Sequence, residues 1–216
     1  MGSIDYIKLY NLQDKVMDIL FDTERVFYLT GGTCLSRFYK EKRYSDDLDF
    51  FTHNSNDFYR ATKEIKIALN EKFEIVEEVT AKDFIRFRVD DILQVDFVND
   101  RVMRYKKTVE LDNGYIIDNY ENILANKFTA VMGRDNPKDI FDIFLIDKFY
   151  KYNCKDILNI AHQKAGFSND ELIIRLKTFP TTLLNQISLI DKSFLDNFDK
   201  EYKLFIKKIE NLGEIK

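Results

Sequence analysis

Residues 26–51 have the sequence VFYLTGGTCLSRFYKEKRYSDDLDFF, and the predicted fold depends on two patterns in this stretch. Its first residues, Val26 to Leu29, form a short apolar run that predicts a β-strand. The run is followed by Thr30-Gly31-Gly32-Thr33, by about a dozen residues of helical character, and by a second predicted strand containing Asp47-Leu48-Asp49. The stretch therefore predicts a strand, a glycine turn, a helix and a second strand.

The second strand is expected to present two carboxylates on one face. Side chains alternate along a strand, so Asp47 and Asp49 point the same way while Leu48 and Phe50 face a core. Two carboxylates this close repel each other unless a proton or a cation lies between them. Mg²⁺, with phosphates as further ligands, is the cation most often held in this way. We therefore predict a metal site for Mg²⁺, with Mn²⁺ as an alternative ion.

Composition excludes several classes of protein. The chain has 216 residues, 45% of them hydrophobic, enough for one sizeable domain or two small ones. A net charge of −4 argues against a broad nonspecific nucleic-acid surface but leaves room for a local basic patch. The two cysteines and two histidines are isolated in the sequence, so we expect reduced thiols and no zinc site.

Location in the cell is predicted from what the sequence does not contain. No run approaches the roughly 20 apolar residues of a membrane-crossing helix, so no membrane partner is expected. The first residues show no secretory pattern, which predicts a cytoplasmic protein. Met1-Gly2-Ser3 is interpreted as a plain start or an expression remnant rather than a myristoylation site, because Tyr6 stands where Ser or Thr is expected.

Periodicity and turn residues predict an α+β fold, a mixed sheet with flanking helices followed by a C-terminal helical bundle. Residues 1–118 are assigned to the α+β lobe and residues 119–216 to a helical lobe that completes the active-site cleft. Ile4, Ile7 and Ile67 are expected to face the core of the first lobe. The predicted elements are helices at 4–21 and 54–73, strands at 73–79, 84–89 and 92–98, a hairpin at Asn113-Gly114, and helices at 119–132, 137–150, 168–178, 181–190 and 193–211. Asn136-Pro137 is expected to open the helix at 137–150, and Ser168 with Glu171 to form a capping box at the next one.

The glycine turn and a third acid extend the candidate site. Backbone N–H groups of Gly31 and Gly32 can approach a phosphate at a helix N-terminus, with the Thr33 hydroxyl nearby, although a simple tight turn is the alternative. Asp96 interrupts the apolar strand ILQVDFV. If that strand lies beside the strand of Asp49, Asp96 becomes a third metal ligand or the general base; otherwise it is a hydrogen-bonded strand residue.

The segment 125–147, ANKFTAVMGRDNPKDIFDIFLID, places charged residues among apolar ones. Buried charges are unfavourable unless they are paired. One interpretation pairs Lys127 or Arg134 with Asp139 or Asp142. The other makes Lys127, Arg134 and Lys138 a cationic wall for a triphosphate, and the residues alone leave both open.

Two groups of cations in the first lobe have no assigned partner. Arg101, Arg104, Lys106 and Lys107, with Tyr105, form either a solvated loop or a patch that binds RNA. Arg86 and Arg88 share one strand face and either cover the sheet or reach the carboxylates.

Taken together, these stretches resemble the AbiEii/AbiGii-type nucleotidyltransferases, a branch of the DNA-polymerase-β-like superfamily that contains many toxins of bacterial toxin–antitoxin pairs. The resemblance covers residues 28–51, including Arg43-x-Ser45-x-Asp47-x-Asp49. It continues with Asp96 and with the order Lys127, Arg134, Lys138-Asp139 and Asp142. One departure is Gly31-Gly32-Thr33, where Gly-Ser is also common in the family.

The resemblance implies a nucleotidyltransferase-type mixed sheet and a Mg²⁺-dependent enzyme that transfers a nucleoside monophosphate from an NTP to an acceptor hydroxyl. It further implies an RNA acceptor, the 3′ end of tRNA, and a separately encoded antitoxin. The implied catalytic residues are Asp47, Asp49, Asp96, Lys127 and Asp142, of which Asp47, Asp49 and Asp96 are also the metal ligands. The implied substrate-binding residues are Gly31, Gly32, Thr33, Arg43, Ser45, Arg134, Lys138 and Asp139.

Two other functions compete with this one. A small-molecule nucleotidyltransferase of the aminoglycoside-modifying kind shares the first motif, and would be favoured by an anionic pocket without a basic approach. A non-catalytic nucleotide-binding or interaction module could retain the same fold without turnover.

Overall fold

A computed structural model describes residues 4–213, so the interpretation of Met1-Gly2-Ser3 lies outside the described residues. The chain divides into two compact units, Met1–Phe38 with Ser45–Asn119 and Tyr39–Tyr44 with Tyr120–Lys216. The short segment Tyr39–Tyr44, which the sequence analysis assigned to the first lobe, thus groups with the second unit. That the second unit completes an active-site cleft stays a prediction.

The first unit contains a mixed sheet of seven strands, which confirms the predicted α+β fold. The strands are β1 (Tyr28–Thr30), β2 (Asp47–His53), β3 (Ile75–Ala81), β4 (Phe84–Val89), β5 (Leu93–Asp100), β6 (Val109–Glu110) and β7 (Ile116–Ile117). Along the sheet the order is β3-β4-β5-β2-β1-β7-β6. The pairs β2 with β5 and β1 with β7 are parallel, and the other neighbours are antiparallel.

Aromatic packing shows which face of the sheet is covered by helices α1 (Tyr6–Thr23) and α3 (Phe58–Asn70). Phe50 of β2 lies directly opposite Phe97 of β5, with ring centroids 5.8 Å apart. Phe21 of α1 packs on Phe50, and Phe27 contacts both Phe97 and Phe58 of α3. The alternate residues of β2 and β5 consequently point to the opposite face, as the period of a strand requires.

The second unit is helical and includes the segment Tyr39–Tyr44, which pairs with residues 188–189 through a backbone bridge from Arg43 to Leu189. Its elements are α4 (Tyr120–Gly133), α5 (Pro137–Phe149), α6 (Cys154–Lys164), α7 (Asn169–Thr178), 3₁₀ turns at Thr181–Gln186 and Lys192–Leu195, and α8 (Phe198–Gly213). The predicted capping box of Ser168 and Glu171 is confirmed, and α5 begins at Pro137 as predicted, with the Asn136 side chain accepting from the Lys138 N–H. Across residues 4–213, no helix combines the length and apolar character that a bilayer crossing requires.

Several local predictions were wrong. Helix α2 (Gly31–Phe38) begins at the first glycine and has eight residues, shorter than expected. Helix α6 was not predicted. Between 181 and 195 the helical residues are two short 3₁₀ turns, Thr181–Gln186 and Lys192–Leu195, rather than α-helices, as is common in connectors. Ile4, Ile7 and Ile67 were expected to face the core but are 52%, 79% and 58% exposed. The buried faces of α1 and α3 are therefore narrower than the spacing of their hydrophobic residues predicted.

Replacing Phe97 by Ala should destabilise the first unit strongly, because its fully buried ring contacts those of Phe27, Phe50 and Phe87. We expect the free energy of unfolding in urea to fall by about 3–5 kcal/mol. The matched control is Ile67→Ala at a mostly exposed position of α3, which should change the same quantity by no more than about 0.5 kcal/mol. Equal losses in the two variants would contradict this description of the core.

Candidate active site

The glycine turn and the second aspartate of the Asp-x-Asp motif lie in direct contact. Antiparallel pairing of β1 with β2 sets Thr30 opposite Asp49, and α2 begins at the next residue, Gly31. Gly31 has a φ of +70°, and a Cβ built on it would lie 2.5 Å from Oδ2 of Asp49. Only glycine satisfies both the left-handed backbone and this close approach. The Asp49 carboxylate therefore lies beside Gly31, the first residue of α2.

The parallel pairing of β2 with β5 places the third predicted acid beside the motif. Asp49 is paired directly with Asp96, and Asp47 with Gln94, so all four residues share the face opposite the aromatic core. The strand adjacency on which the prediction for Asp96 depended is thus present. Asp47 and Asp49 remain partly exposed, whereas Asp96 is 7% exposed.

Asp96 is held by Arg86 of β4, a pairing that the sequence left open. Its two carboxylate oxygens accept from Nε and Nη2 of Arg86, both at 2.7 Å, and Gln94 donates a further hydrogen bond at 3.2 Å. The hydrogen bonds to Asp96 raise the pKa of Arg86, and the charge of nearby Asp49 adds to the effect. Because a carboxylate has about four acceptor positions, Asp96 retains roughly one for a ligand. Arg88 pairs instead with Glu78 at 2.9 Å.

Of the three acids, Asp47 and Asp49 fit a hard divalent cation as a pair of ligands, and the three together do not form a metal-binding triad. Within residues 4–213, no group of three His, Cys, Asp or Glu side chains is arranged to hold a metal ion. Asp47 and Asp49, by contrast, offer carboxylate oxygens on one face beside the glycine turn. Mg²⁺ is commonly bound by one or two carboxylates, with waters and substrate phosphates as its other ligands.

Two predicted substrate-binding residues are instead used to connect elements. The Thr33 hydroxyl is fully buried and donates to the backbone carbonyl of Asp47, tying α2 to β2. Ser45 is buried, and its N–H and carbonyl are bonded to the Tyr10 hydroxyl and the Gln13 amide of α1. In the structure the Thr33 hydroxyl is thus occupied by the Asp47 carbonyl, and its contact with a phosphate stays a prediction.

Asp118 is a residue that sequence reasoning missed. It is fully buried at the end of β7, where it accepts from the Thr30 hydroxyl at 2.7 Å. Its backbone N–H donates to Leu29 at 2.8 Å, and its carbonyl accepts from the Cys34 thiol. Burial raises the pKa of that thiol well above its usual range. Asp118 thus fixes Thr30, the residue that precedes Gly31. The sequence signal that could have identified Asp118 is its place directly after the apolar pair Ile116-Ile117.

The charged residues of the helical signature form one buried network in the second unit. The Asp142 carboxylate accepts hydrogen bonds from Nε and Nη2 of Arg43, each at 2.8 Å, and forms an ion pair with the Lys127 ammonium at 2.7 Å. Lys127 also donates to Asp139 at 2.8 Å, and Arg134 binds the same carboxylate at 2.7 Å. Asp139 and Asp142 are 0% and 1% exposed. The ion-pair interpretation therefore describes this segment.

The pKa values of the network follow from charge pairing that outweighs burial. Burial alone would raise the pKa of Asp142, but Arg43 and Lys127 hold it below its ordinary value. The pKa of Asp139 is lowered in the same way, chiefly by Lys127 and Arg134 acting against burial. Burial alone would lower the pKa of Lys127, yet Asp142 and Asp139 raise it. All three groups are consequently ionised at neutral pH.

The network bears on the roles expected for its members, which stay predictions. Arg43 was predicted to bind substrate, but it is 2% exposed and both sides of its guanidinium are engaged, by Asp142 and by the Tyr44 carbonyl. Lys127 is 9% exposed and lies between two carboxylates, which leaves little of its charge for a triphosphate. Arg134, whose side chain is 58% exposed, is the member that presents positive charge to solvent.

The basic run after β5 is partly committed to local partners. Arg101 binds Asp83, and the Arg104 guanidinium lies over the Tyr28 ring at 5.1 Å. The amide of Asn119 donates to the carbonyls of Tyr105 and Lys107 and so holds the loop. Whether the run also contacts RNA stays a prediction.

Comparison with known proteins gives a family match over nearly the whole chain. The model of the family described as nucleotidyl transferase AbiEii toxin, type IV toxin–antitoxin system, matches residues 18–215. The resemblance inferred from the motifs is thereby confirmed.

Individual relatives are more distant. An uncharacterized protein of Aquifex aeolicus is 26% identical over 149 residues, which are 69% of this chain and 71% of that protein. The crystal structure of JHP933 from Helicobacter pylori has a TM-score of 0.59 at 22% identity, covering 99% of this chain and 97% of that one. MenT4, a nucleotidyltransferase toxin from Mycobacterium tuberculosis, has a TM-score of 0.54 at 15% identity, covering 85% of this chain and 68% of that one. At these identities the two structures establish a shared fold.

Gly31→Ala should destabilise the first unit by about 1–3 kcal/mol in urea unfolding, because it adds both backbone strain and a clash with Asp49. In an Asp49→Ala background the same change should cost only the strain, about 1 kcal/mol, because the crowding oxygen is gone. Gly133→Ala is the control, since a Cβ there meets nothing within 4 Å. An identical cost in both backgrounds would contradict the contact.

Asp142→Asn should destabilise the second unit by about 3–5 kcal/mol, because it leaves Arg43 and Lys127 buried without their shared counter-charge. Glu201→Gln removes an acid from the more exposed pair with Lys148 and should cost less than about 1 kcal/mol. Urea unfolding of both variants at neutral pH measures the difference.

The same network predicts the direction of pH dependence. The folded-state pKa values of Asp139 and Asp142 are lowered. Their contribution to the free energy of unfolding is therefore complete above the ordinary carboxyl pKa of about 4 and is lost as the pH falls below it. The pKa of Lys127 is raised, so its contribution to the free energy of unfolding is lost only above about pH 10.5. Wild-type stability should therefore fall more steeply below pH 4 than that of Asp142→Asn; parallel curves would be inconsistent with a paired Asp142.

Proposed function

Because the chain belongs to the nucleotidyl transferase AbiEii toxin family, we propose that this enzyme uses Mg²⁺ to transfer a nucleoside monophosphate from an NTP to an RNA hydroxyl. Its activity is nucleotidyl transfer, and its family is one of type IV toxin–antitoxin systems. The finer proposal is that the acceptor is the 3′ end of a tRNA, that growth arrest follows, and that an antitoxin regulates the enzyme.

The observation that carries this proposal is the position of Asp49. Its carboxylate lies against Gly31 at the N-terminus of α2 and is paired in register with Asp96 on the neighbouring strand. A helix N-terminus with a glycine favours phosphate oxygens, and a pair of carboxylates favours a divalent cation. An NTP with its metal ion requires both features at one place.

In the proposed reaction the acceptor hydroxyl oxygen attacks the α-phosphorus and releases its proton to solvent. The bond from the α-phosphorus to the oxygen that bridges it to the β-phosphate breaks, and pyrophosphate leaves. Asp47 and Asp49 would hold the ion, which when bound supplies charge neutralisation for the phosphates. Gly31 and Gly32 would contact phosphate oxygens through backbone N–H groups. Asp96 accepts twice from Arg86, so in this proposal it adds at most one oxygen contact to an ion held by the pair Asp47 and Asp49. A general-base role for Asp96 would require its ion pair with Arg86 to open.

The remaining family residues belong to the second unit and are proposed to have other roles. Lys127 and Asp142 keep the second unit folded through the buried network, with Arg43 and Asp139 as their partners. Arg134 and Lys138 are the partly exposed cations of that segment and are proposed to attract the anionic substrates.

Asp47→Asn and Asp49→Asn should each lower incorporation of labelled nucleotide into RNA by at least roughly a hundredfold, because each removes a metal-binding charge. The assay combines each labelled NTP in turn with total RNA and Mg²⁺, and EDTA should abolish the signal. Asp46→Asn, one residue before the strand, is the matched control and should retain activity. Full incorporation by the Asp47 and Asp49 variants would overturn the proposal.

The same assay separates the competing functions. Label that appears in RNA supports the proposal, whereas label that appears only in a small-molecule acceptor would favour the aminoglycoside-type alternative. Absence of NTP binding in the presence of Mg²⁺ would favour a non-catalytic module.

A further inference from the structure

A cluster of three tyrosines in the second unit has no part in the proposed chemistry. Tyr39 begins the segment that groups with this unit, Tyr120 begins α4, and Tyr150 directly follows α5. The rings of Tyr120 and Tyr150 are stacked, with centroids 4.6 Å apart and an interplanar angle of 27°. Tyr39 meets both of them edge-on at 5.9 Å. We call these three residues the tyrosine cluster.

The tyrosine cluster is ordered but not enclosed. All three side chains are partly exposed, although each is held by its neighbours. The Tyr120 hydroxyl donates to the Lys151 carbonyl at 3.1 Å, which fixes the ring that stacks on Tyr150. Rings that are already oriented lose little entropy when a flat ligand stacks on them.

Lysines accompany the tyrosine cluster. Tyr39 is followed by Lys40, and Tyr150 by Lys151. Lys40 lies over the ring of Phe149 at 4.7 Å, and that ring is itself 40% exposed. Among the described residues, neither lysine has a carboxylate within ion-pair distance. Lys42 also lies near this ring, at 5.9 Å, but its charge is paired with Asp191.

Aromatic faces next to unpaired cations match the chemistry of single-stranded nucleic acid, in which bases stack and phosphates require counter-charge. An acidic peptide would use the lysines but would leave the flat rings without a specific partner. We propose that the tyrosine cluster binds an unpaired nucleobase of the RNA acceptor, with Lys40 and Lys151 contacting the adjacent phosphates. In naming RNA as the ligand, this inference rests on the proposed function.

The first test measures binding without catalysis. Fluorescence anisotropy with no NTP present compares an RNA hairpin bearing a short single-stranded 3′ extension with the same hairpin whose extension is abasic. The natural extension should bind the wild-type protein more tightly, by roughly 5- to 150-fold per stacked base. Equal affinities for the two hairpins would overturn the inference.

Variants then assign the preference for bases to the tyrosine cluster. Tyr120→Leu and Tyr150→Leu should remove most of the difference between the hairpins, whereas Tyr120→Phe should keep it, because the ring remains. The matched control is Tyr59→Leu, at a half-exposed tyrosine of the first unit whose hydroxyl likewise donates to a backbone carbonyl, that of Ala81, at 3.2 Å. Unchanged base preference in both cluster variants would overturn the inference.

The lysines have a separate readout. Lys40→Gln combined with Lys151→Gln should reduce the slope of log affinity against log salt by about 1.4, since each phosphate contact on a single strand contributes about 0.7. Preference for bases over the abasic extension should survive this change. An unaltered slope would exclude the lysines as phosphate contacts.

Photocrosslinking of the wild-type protein keeps the inference testable if the leucine variants fail to fold. RNA carrying 5-iodouridine in the extension should crosslink to peptides containing Tyr39, Tyr120 or Tyr150, and crosslinks found only elsewhere would overturn the assignment. Repeating the binding experiment with Asp47→Asn protein separates the two proposals: base-dependent binding by an inactive enzyme supports this site. A loss of nucleotide transfer with base-dependent RNA binding retained would bear only on the proposed reaction and not on the tyrosine cluster.

Discussion

The contact between the Asp49 carboxylate and Gly31 is the constraint on which the candidate site depends. Antiparallel pairing with β1 sets Asp49 opposite Thr30, and parallel pairing with β5 sets it beside Asp96. A slip of one residue in either register would turn these acids toward the aromatic core. Asp118, by bonding the Thr30 hydroxyl, fixes the last residue before the turn. One close approach thus specifies the position of the strand, the turn and the acids together.

Exposure divides the acids of the family motifs into two physical classes. Asp47 and Asp49 are partly exposed and can meet a ligand, whereas Asp139 and Asp142 are buried and surrounded by three cations. Asp96 lies between these classes, since it is nearly buried and bound by one guanidinium. A buried carboxylate without such partners would be too unfavourable to remain ionised. Burial and pairing, rather than position in a motif, therefore indicate which acids are available for chemistry.

Local patterns predicted the fold more completely than the partners of charged residues. Alternation predicted that Asp47 and Asp49 share a face, and the caps at Asn136 and Ser168 located two helix starts. The pairing of Arg43 with Asp142 joins residues 99 positions apart, and no local pattern contains that information. Arg86 was recognised as a candidate partner, but only the register of β4 with β5 selects Asp96. Tertiary packing also decided that Ile7 and Ile67 are exposed, because a helix covers only as much surface as its neighbours leave.

The buried network changes how the family resemblance should be interpreted. Arg43 and Asp142 stand near the two ends of the stretch that carries the motifs, yet they bind each other and not a solvent-facing site. Removing one partner from a buried pair costs about 3–5 kcal/mol, a large part of the 5–15 kcal/mol that typically stabilises a domain. A substitution at Lys127 or Asp142 can therefore abolish activity by unfolding the chain, without any chemical role for the residue. Only activity expressed per folded molecule distinguishes the two explanations, and the exposed pair Asp47 and Asp49 is where a loss of rate without a loss of stability is expected.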